Sequence, residues 1–394
     1  MTTATIDVII GTSRVQIQRT VFTELLDNSV VNARSPYLKA LERSEIHYSE
    51  LVDLARKAEV PHPLFFAPPA QVRAQVKAKL NKLLQGVTPE TFTINTRTTV
   101  ELRNIELIVK DLLRKQEFAR KNDPTLKRNK IVGLLRKPRA TVREDANALV
   151  EGIGLDLAAI RRARKKETAR DLLIQRLEAN QIFVSQSVRG YMPQLLDGIH
   201  FSGMTVRDTK VPFIFLAGGD HQDFQEPAGR QIFTLTLMTV LIARGVFAPV
   251  TYDANSTAPD PGREFDIVGE MLMPGHEMRE LSIKDLDDVR ATADSFKVTP
   301  SAVVVRAMRM QMLHQELGVA FLDDLRTEFQ ARPKPQPRPP KPANAIRKYS
   351  GHALTTRMLR AVDEGRISEG EFCRVVCLNH IRPSGLSDLR EALP

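Results

Sequence analysis

The sequence predicts a mainly helical protein with a small mixed sheet near residues 180–220, which places it in the α+β class. Apolar side chains recur at helical spacings through most of the first 180 residues and again after residue 228. The predicted helical segments are Pro36–Ala58 and residues 70–87, 97–122, 229–244, 264–273 and 346–391. Short runs rich in β-branched and aromatic residues predict three strands. These runs are Gln181–Ser185, Gly198–Met204 and Val211–Leu216.

Length and composition limit the class of protein. At 394 residues, and with roughly 150 residues per domain, the chain is long enough for two or three domains. Its two cysteines, Cys373 and Cys377, are too few for a disulfide framework and are typical of a reducing cytoplasm. The sequence has no span of about 20 apolar residues, and its first residues lack the basic region of a signal peptide. We therefore expect a cytoplasmic protein without a membrane segment.

Positive charge is concentrated in two clusters. The formal net charge is +10, an excess that favours acidic partners and above all nucleic acid. Between Arg114 and Arg143 there are eleven Lys or Arg residues against two acids, and a second cluster spans residues 161–166. Each cluster could contact phosphates or could form the solvated face of an amphipathic helix. The nucleic-acid-binding candidates are Arg136, Lys137, Arg139, Arg161, Arg162, Arg164, Lys165 and Lys166.

Three phrases follow one another in a specific order in the second half of the chain. Gln231–Leu241 follows the apolar run that ends at Leu216, and Arg263–Pro274 and Ala293–Arg306 come after it. This order resembles the ImmA/IrrE metallopeptidase family. In that family a Phe-Thr-Leu-Ala lead-in opens a helix bearing His-Glu-x-x-His, and a later helix supplies an acidic third ligand and ends in Leu-Leu-Met-Pro. The resemblance implies a zincin-like core over residues 176–331.

The zinc-binding residues of that family are replaced in this chain. A zinc peptidase needs two histidines at positions i and i+4 of one helix, a glutamate that activates water, and a third ligand. The lead-in persists as Phe233–Thr236, but the histidine positions fall on Leu237 and Leu241 and the glutamate position falls on Met238. We therefore expect no catalytic residue, no bound metal and no cofactor, which would make the chain a pseudopeptidase.

Other residues offer material for a metal site of a different kind. Glu264 and Asp266 remain as an acidic remnant in the third-ligand region, and His221 and the pair His276–Glu277 lie nearby in sequence. A zinc peptidase with non-standard ligands is therefore an alternative. A Cys-x3-Cys-x2-His spacing near the C-terminus could also ligate a metal, but two cysteines one helical turn apart are more typical of the core face of a helix.

The resemblance extends to both ends of the chain. Glu50–Pro61 and Leu64–Phe66 are similar to the junction at which an XRE-type helix-turn-helix domain of this family ends, and Leu359–Glu371 is similar to the tail of longer members. Six prolines in residues 332–342 predict an extended linker. The implied division is a degenerate XRE-like helical domain (1–70), a basic helical region (71–175), the pseudopeptidase core (176–331), a proline-rich linker (332–345) and a C-terminal helical segment (346–394).

The leading hypothesis is a non-catalytic regulatory protein. Family members with this layout occur in prophages, mobile elements and toxin–antitoxin-like loci, so the resemblance implies a bacterial or phage-encoded protein of lysogeny control, toxin–antitoxin-like function or phage defence. A protein segment would bind, uncut, in the cleft between the Phe233–Arg244 helix and the sheet. Nucleic acid and a second copy of the chain are further partner classes. The alternative is a DNA-binding transcriptional repressor that uses the basic N-terminal half.

Overall fold

The computed structural model describes residues 4–27, 29, 31, 34–83, 105–196, 202–218, 226–250, 262–332 and 340–393. The chain divides into two units, residues 1–85 with 99–111 and residues 86–98 with 112–394. The predicted boundaries near residues 70 and 175 do not coincide with this division. Most of the predicted proline-rich linker lies outside the described residues. Among the helices that the structure describes, none has the length and apolar character needed to cross a membrane.

The first unit combines a three-stranded sheet with helices. Its strand order is β2-β1-β3, in which β1 is antiparallel to β2 and parallel to β3. The elements in chain order are β1 (Thr5–Ile10), β2 (Ser13–Gln18), α1 (Arg19–Leu26), α2 (Ser35–Arg43), β3 (Glu45–His47), α3 (Tyr48–Lys57), a 3₁₀ turn (His62–Phe66) and α4 (Pro69–Leu83).

The N-terminal hairpin corrects the prediction of a helical domain over residues 1–70, because its two strands occupy Thr5–Gln18. Ile6 and Val8 are fully buried at alternate positions of β1, which is the period of a strand and not of a helix. Gly11 takes a left-handed φ of 59° in the turn between β1 and β2, and such a conformation suits a tight hairpin. The predicted helix Pro36–Ala58 is also divided, because Ser44 has a φ of 56° and ends α2 before β3 begins.

The second unit is mainly helical around one small sheet. The helix α5 (Glu106–Asn122) begins in the first unit and continues into the second. The elements that follow it are α6 (Val142–Ile153), α7 (Leu157–Arg162), α8 (Lys166–Ala179), β4 (Phe183–Gln186), β5 (Gly203–Val206), β6 (Phe213–Leu216), α9 (Ala228–Arg244), β7 (Pro249–Val250), α10 (Arg263–Leu272), α11 (Gly275–Arg279), α12 (Leu286–Ser295), α13 (Pro300–Arg309), α14 (Gln315–Ala331), α15 (Pro342–Ser350), α16 (His352–Asp363), α17 (Glu369–Val375), a 3₁₀ turn (Pro383–Gly385) and α18 (Leu386–Glu391).

The sheet of the second unit confirms the prediction of a mixed sheet near residues 180–220. Its strand order is β4-β6-β5-β7, with β4 parallel to β6, and with β5 antiparallel to both β6 and β7. Each of the three predicted strand runs overlaps one of these strands, although Gly198–Met204 shares only Gly203 and Met204 with β5. The helices α9 and α10 lie within one residue of their predicted bounds. The coarse fold class, mainly helical with small mixed sheets, is therefore confirmed.

The C-terminal helices belong to the second unit and pack beside β4, a strand at the edge of the sheet. The hydroxyl of Ser185 donates a hydrogen bond to the carbonyl oxygen of Tyr349. Glu178 of α8 accepts a hydrogen bond at 3.2 Å from the backbone N–H of Ala353, so it supplies a carboxyl group to the first turn of α16. The predicted helical segment beyond the linker is therefore integrated into this unit.

Candidate functional site

The helix α9 holds the positions at which the sequence would place a zinc site, and both of its ends are fixed by glycines. At the start, a Cβ on Gly229 would lie 2.7 Å from the backbone carbon of Val298, so only glycine allows this close approach. At the end, Gly245 takes a φ of 78° and closes the helix. Between these ends α9 contacts β5 and β6 on one side and the helices α8 and α10 on others.

The three positions of α9 that the resemblance assigns to zinc chemistry are buried among apolar side chains. Leu237 is 2% exposed, and Met238 and Leu241 are 0% exposed. All three belong to one hydrophobic cluster of the second unit. Met238 packs on β5, since a Cβ on Gly203 would lie 2.9 Å from its Cε atom. The predicted cleft between α9 and the sheet is therefore filled at this point, which corrects the expectation that a protein segment binds there.

Two of the three threonine hydroxyl groups within α9 donate hydrogen bonds to the backbone of the helix itself. Thr236 Oγ1 donates to the carbonyl oxygen of Ile232 at 2.9 Å, and Thr239 Oγ1 donates to that of Leu235 at 2.7 Å. Both threonines are 1% exposed. Because each hydroxyl donates back to the preceding turn, it needs no further partner to be buried at low cost.

The acidic remnant lies on α10, where its side chains are held by arginines. Glu264 Oε1 is 3.2 Å from Arg244 Nε, and Asp266 Oδ1 is 2.6 Å from an Nη atom of Arg309. The two carboxylates therefore pair with arginines of different helices, α9 and α13. They do not converge on one point, as the ligands of a single metal ion would have to.

The histidine candidate His276 does not belong to a group of possible metal ligands in the described residues. His276 is exposed at the start of α11, and the adjacent Glu277 accepts two hydrogen bonds from Arg161 Nη1, at 2.9 and 2.7 Å. His221 lies outside the described residues. Within the residues that the structure describes, no group of three or more His, Cys, Asp or Glu side chains is arranged to hold a metal ion.

The C-terminal cysteines behave as small apolar residues. Cys373 and Cys377 are buried and unbridged, and burial raises the pKa of the Cys377 thiol to about 12. A thiol with so high a pKa stays protonated at neutral pH, whereas a metal ligand must be a thiolate. His380 lies 4.9 Å from the Tyr191 ring between centroids, and burial lowers its pKa.

A buried polar cluster at the start of α9 is the feature that sequence reasoning missed. Gln231 Nε2 donates to the carbonyl oxygens of Gly218 and Glu226, at 2.5 and 3.0 Å, and its Oε1 accepts from Arg170 at 2.7 Å. Ser202 Oγ donates to Glu226 Oε1 at 2.9 Å. Burial raises the pKa of Glu226. The cluster ties α9 to the ends of β5 and β6, and the isolated glutamine in an apolar helix was its only signal in the sequence.

The first set of basic candidates lies on the loop between α5 and α6. Arg136, Lys137 and Arg139 are all exposed. The guanidinium of Arg136 lies against Gly245, the glycine that closes α9. Arg139 Nη1 is 3.6 Å from Asp145, a buried carboxylate. Two of these three side chains, Arg136 and Lys137, have no ion pair within the part of the chain that is described.

The second set of basic candidates is largely committed to structure. Arg161 pairs with Glu277 and also lies 4.9 Å from the centre of the Phe296 ring. Lys166 Nζ is 2.7 Å from Asp294 Oδ1. Arg162 is 3.9 Å from its partner Asp156, while Arg164 and Lys165 are exposed. Only part of this cluster is therefore available to a nucleic acid.

No protein-family model matches the chain, and neither a curated protein nor a solved structure is significantly similar to it.

Proposed function

We propose that this protein is a non-catalytic regulatory protein that binds a partner, and that it is built on the scaffold of an inactivated ImmA/IrrE-like metallopeptidase. The observation that carries the proposal is the burial of Leu237, Met238 and Leu241 at 0–2% exposure in one hydrophobic cluster. Burial of each such side chain stabilises the fold by about 1.5–3 kcal/mol. These positions therefore serve the stability of α9.

The chemistry of peptide hydrolysis supports the same conclusion. Cleavage by a zinc peptidase needs a metal-bound water and a carboxylate that accepts its proton. The methionine at the general-base position, Met238, cannot accept a proton, and the leucines at the histidine positions cannot bind a metal. The remaining carboxylates, Glu264 and Asp266, are neutralised by arginines at 3.2 and 2.6 Å. A binding role needs none of these groups.

The resemblance suggests the biological setting of this binding role. It is that of a phage or prophage regulator, acting in lysogeny control, in a toxin–antitoxin-like pair or in defence against other phages. The partner would be a protein, a nucleic acid or a second copy of the chain.

Metal analysis of the purified full-length chain tests the proposal. The protein is loaded with zinc, dialysed against a weak chelator and measured for bound metal and for peptidase activity. We expect sub-stoichiometric zinc and no cleavage, with the same values for a His276→Ala variant. One zinc ion per chain, lost on changing His221 or His276, would overturn the proposal in favour of a zinc peptidase with non-standard ligands.

A DNA-binding transcriptional repressor is the second candidate, and the exposure of Arg136 and Lys137 favours it. Gel-shift titrations of operator-containing and unrelated duplexes over a salt series would test it. The full chain is needed, because a fragment limited to the basic N-terminal half would cut the second unit. A selective complex with one duplex supports the repressor, and equal binding to all duplexes contradicts it.

A further inference from the structure

Two segments that are distant in the sequence meet at one end of the second unit. The backbone N–H of Asn129, in the loop between α5 and α6, donates to the carbonyl oxygen of Thr209 at 2.8 Å. Gln181 Nε2 donates to the carbonyl oxygens of both Lys127 and Lys210, at 2.7 and 3.0 Å. One amide group thus holds the backbone of the loop against the turn between β5 and β6.

This junction brings together five basic side chains, which we call the turn patch. All five are exposed, and none of them has an ion pair within the described residues. Three come from the loop between α5 and α6, and two come from the turn between β5 and β6. The members of the turn patch are Lys127, Arg128, Lys130, Arg207 and Lys210.

The acids next to the turn patch are turned inward. Asp208, between two members of the patch, is 8% exposed and accepts the backbone N–H groups of Lys210 and Val211 at 2.7 and 2.9 Å. It also pairs with Arg120 at 2.9 Å. Asp123 is 5% exposed and pairs with an arginine of α16 at 2.7 Å. Neither carboxylate is left to neutralise the exposed lysines and arginines.

The backbone beneath the turn patch is fixed by further hydrogen bonds. The side chain of Asn129 is buried, donates to the carbonyl oxygen of Asn180 at 2.8 Å and accepts the N–H of Ile131 at 2.8 Å. Gln181 holds a left-handed φ of 57°, at the turn from α8 to β4. The charges are therefore carried by an ordered framework, so little backbone ordering remains to be paid on binding.

We propose that the turn patch binds the phosphate backbone of double-stranded nucleic acid. This proposal rests on the proposed binding function and names its partner class. The charge of the patch complements phosphates, which lysine and arginine neutralise with release of counterions. Contacts of this kind position a duplex without reading its sequence, so we expect little preference for one sequence over another.

The surroundings of the turn patch favour a duplex over other acidic partners. Protein interfaces depend on buried aromatic or aliphatic anchors, and single strands are held by stacking on exposed aromatic rings. The exposed large apolar side chains of the described residues all lie elsewhere in the sequence. They are Ile10, Val15, Leu38, Phe66, Leu195, Leu281, Leu317, Val319 and Phe329.

The test is a salt series of fluorescence-anisotropy titrations with the full chain and a labelled DNA duplex of mixed sequence. Neutralisation of five phosphates predicts a slope of log K against log salt of about −4.5. The affinity should then fall about 500-fold between about 50 and 200 mM salt. The triple variant Arg128→Gln, Lys130→Gln and Lys210→Gln should reduce the magnitude of the slope by about 2.7.

A matched control removes the same charge elsewhere. Arg279, Lys284 and Arg332 are exposed and have no ion pair in the described part of the chain. The triple variant Arg279→Gln, Lys284→Gln and Arg332→Gln should keep nearly the wild-type slope. If the patch variant fails to fold by circular dichroism, the single variants Arg128→Gln and Lys210→Gln replace it, each with an expected reduction of about 0.9.

Several results would overturn the proposal. They are no binding of the wild-type chain at low salt, equal slopes for the two triple variants, tighter binding of single-stranded DNA, and equally tight binding of a polyglutamate chain. An RNA duplex that binds as well as DNA would support the proposal, because it would show that the patch contacts phosphates in either helical form. These outcomes are separate from the metal and peptidase measurements, so the partner class can fail while the non-catalytic function stands.

Discussion

Replacing Leu241 by histidine tests whether α9 is a filled core helix or a dormant metal site. The side chain of Leu241 is 0% exposed and lies in the cluster that includes Ile267 and Val268. The variant Leu241→His puts an imidazole at the position of the second histidine in the family's zinc motif. A core role predicts a large loss of stability that zinc does not reverse, whereas a dormant site predicts stabilisation by zinc.

The expected loss of stability follows from the burial that Leu241 provides and from the polarity of the imidazole that replaces it. The lost burial of Leu241 costs about 1.5–3 kcal/mol, and a buried imidazole without a hydrogen-bond partner adds about 1–3 kcal/mol. We expect the free energy of unfolding to fall by about 3–6 kcal/mol at mildly alkaline pH, where the imidazole is neutral. Below the usual pKa of about 6.5 the unfolded chain takes up a proton that the buried imidazole cannot, so the loss grows by about 1.4 kcal/mol per pH unit.

The assay is urea denaturation followed by circular dichroism, at mildly alkaline and mildly acidic pH, with and without zinc. Leu195→His is the matched control, because Leu195 is 52% exposed and its replacement should change stability by no more than about 0.5 kcal/mol. A Leu241→His protein as stable as the wild type, or one that zinc stabilises strongly, would refute the assignment of α9 to the core.

Three further predictions concern the framework of the second unit. Burial raises the pKa of Glu178 to about 7, so the free energy of unfolding should decline by about 3 kcal/mol as the pH rises from about 4.5 through 7. The variant Glu178→Gln should flatten this pH dependence, which thermal melts at several pH values would measure. Gly229→Ala should cost about 1–3 kcal/mol in urea denaturation, because its Cβ would collide with the backbone of Val298. Asp145→Asn should lower the free energy of unfolding by about 1–3 kcal/mol, because it removes the ion pair that Asp145 makes at 2.8 Å with Arg263, the first residue of α10. Faster hydrogen exchange at the start of α10 would detect this loss.

The parts of the fold that the sequence predicted are those with a strong local period. The helices α9 and α10 have continuous apolar patterns, and their bounds were predicted to within one residue. The hairpin of Thr5–Gln18 was not predicted, because its two strands have only six residues each and are followed by much longer stretches of helical period. Alternation at Ile6 and Val8, with Gly11 after them, was the available signal.

The sequence predicted which residue types occupy the candidate site, but not which side chains contact one another there. The apolar residue types at Leu237 and Leu241, the positions that the resemblance assigns to zinc ligands, are visible in the sequence, since they depend only on residue type at fixed spacing. The pairing of Glu264 with Arg244 is not, because no local pattern links side chains on two helices that meet only in the folded chain. The turn patch depends in the same way on the tertiary contact between Asn129 and Thr209.

The burial of α9 bears on where the proposed partner would bind. A peptidase with an empty metal site would keep a groove beside α9, and a partner could use it without being cut. Here Met238 fills the space against Gly203 of β5, and the acids of α10 are bound by arginines. A partner could reach Met238 only by opening this hydrophobic cluster, at a cost of about 1.5–3 kcal/mol for each apolar side chain that becomes exposed. The binding role that we propose is therefore better served by the charged surface outside this core, where Arg128 and Lys210 are exposed and free of ion pairs in the described residues.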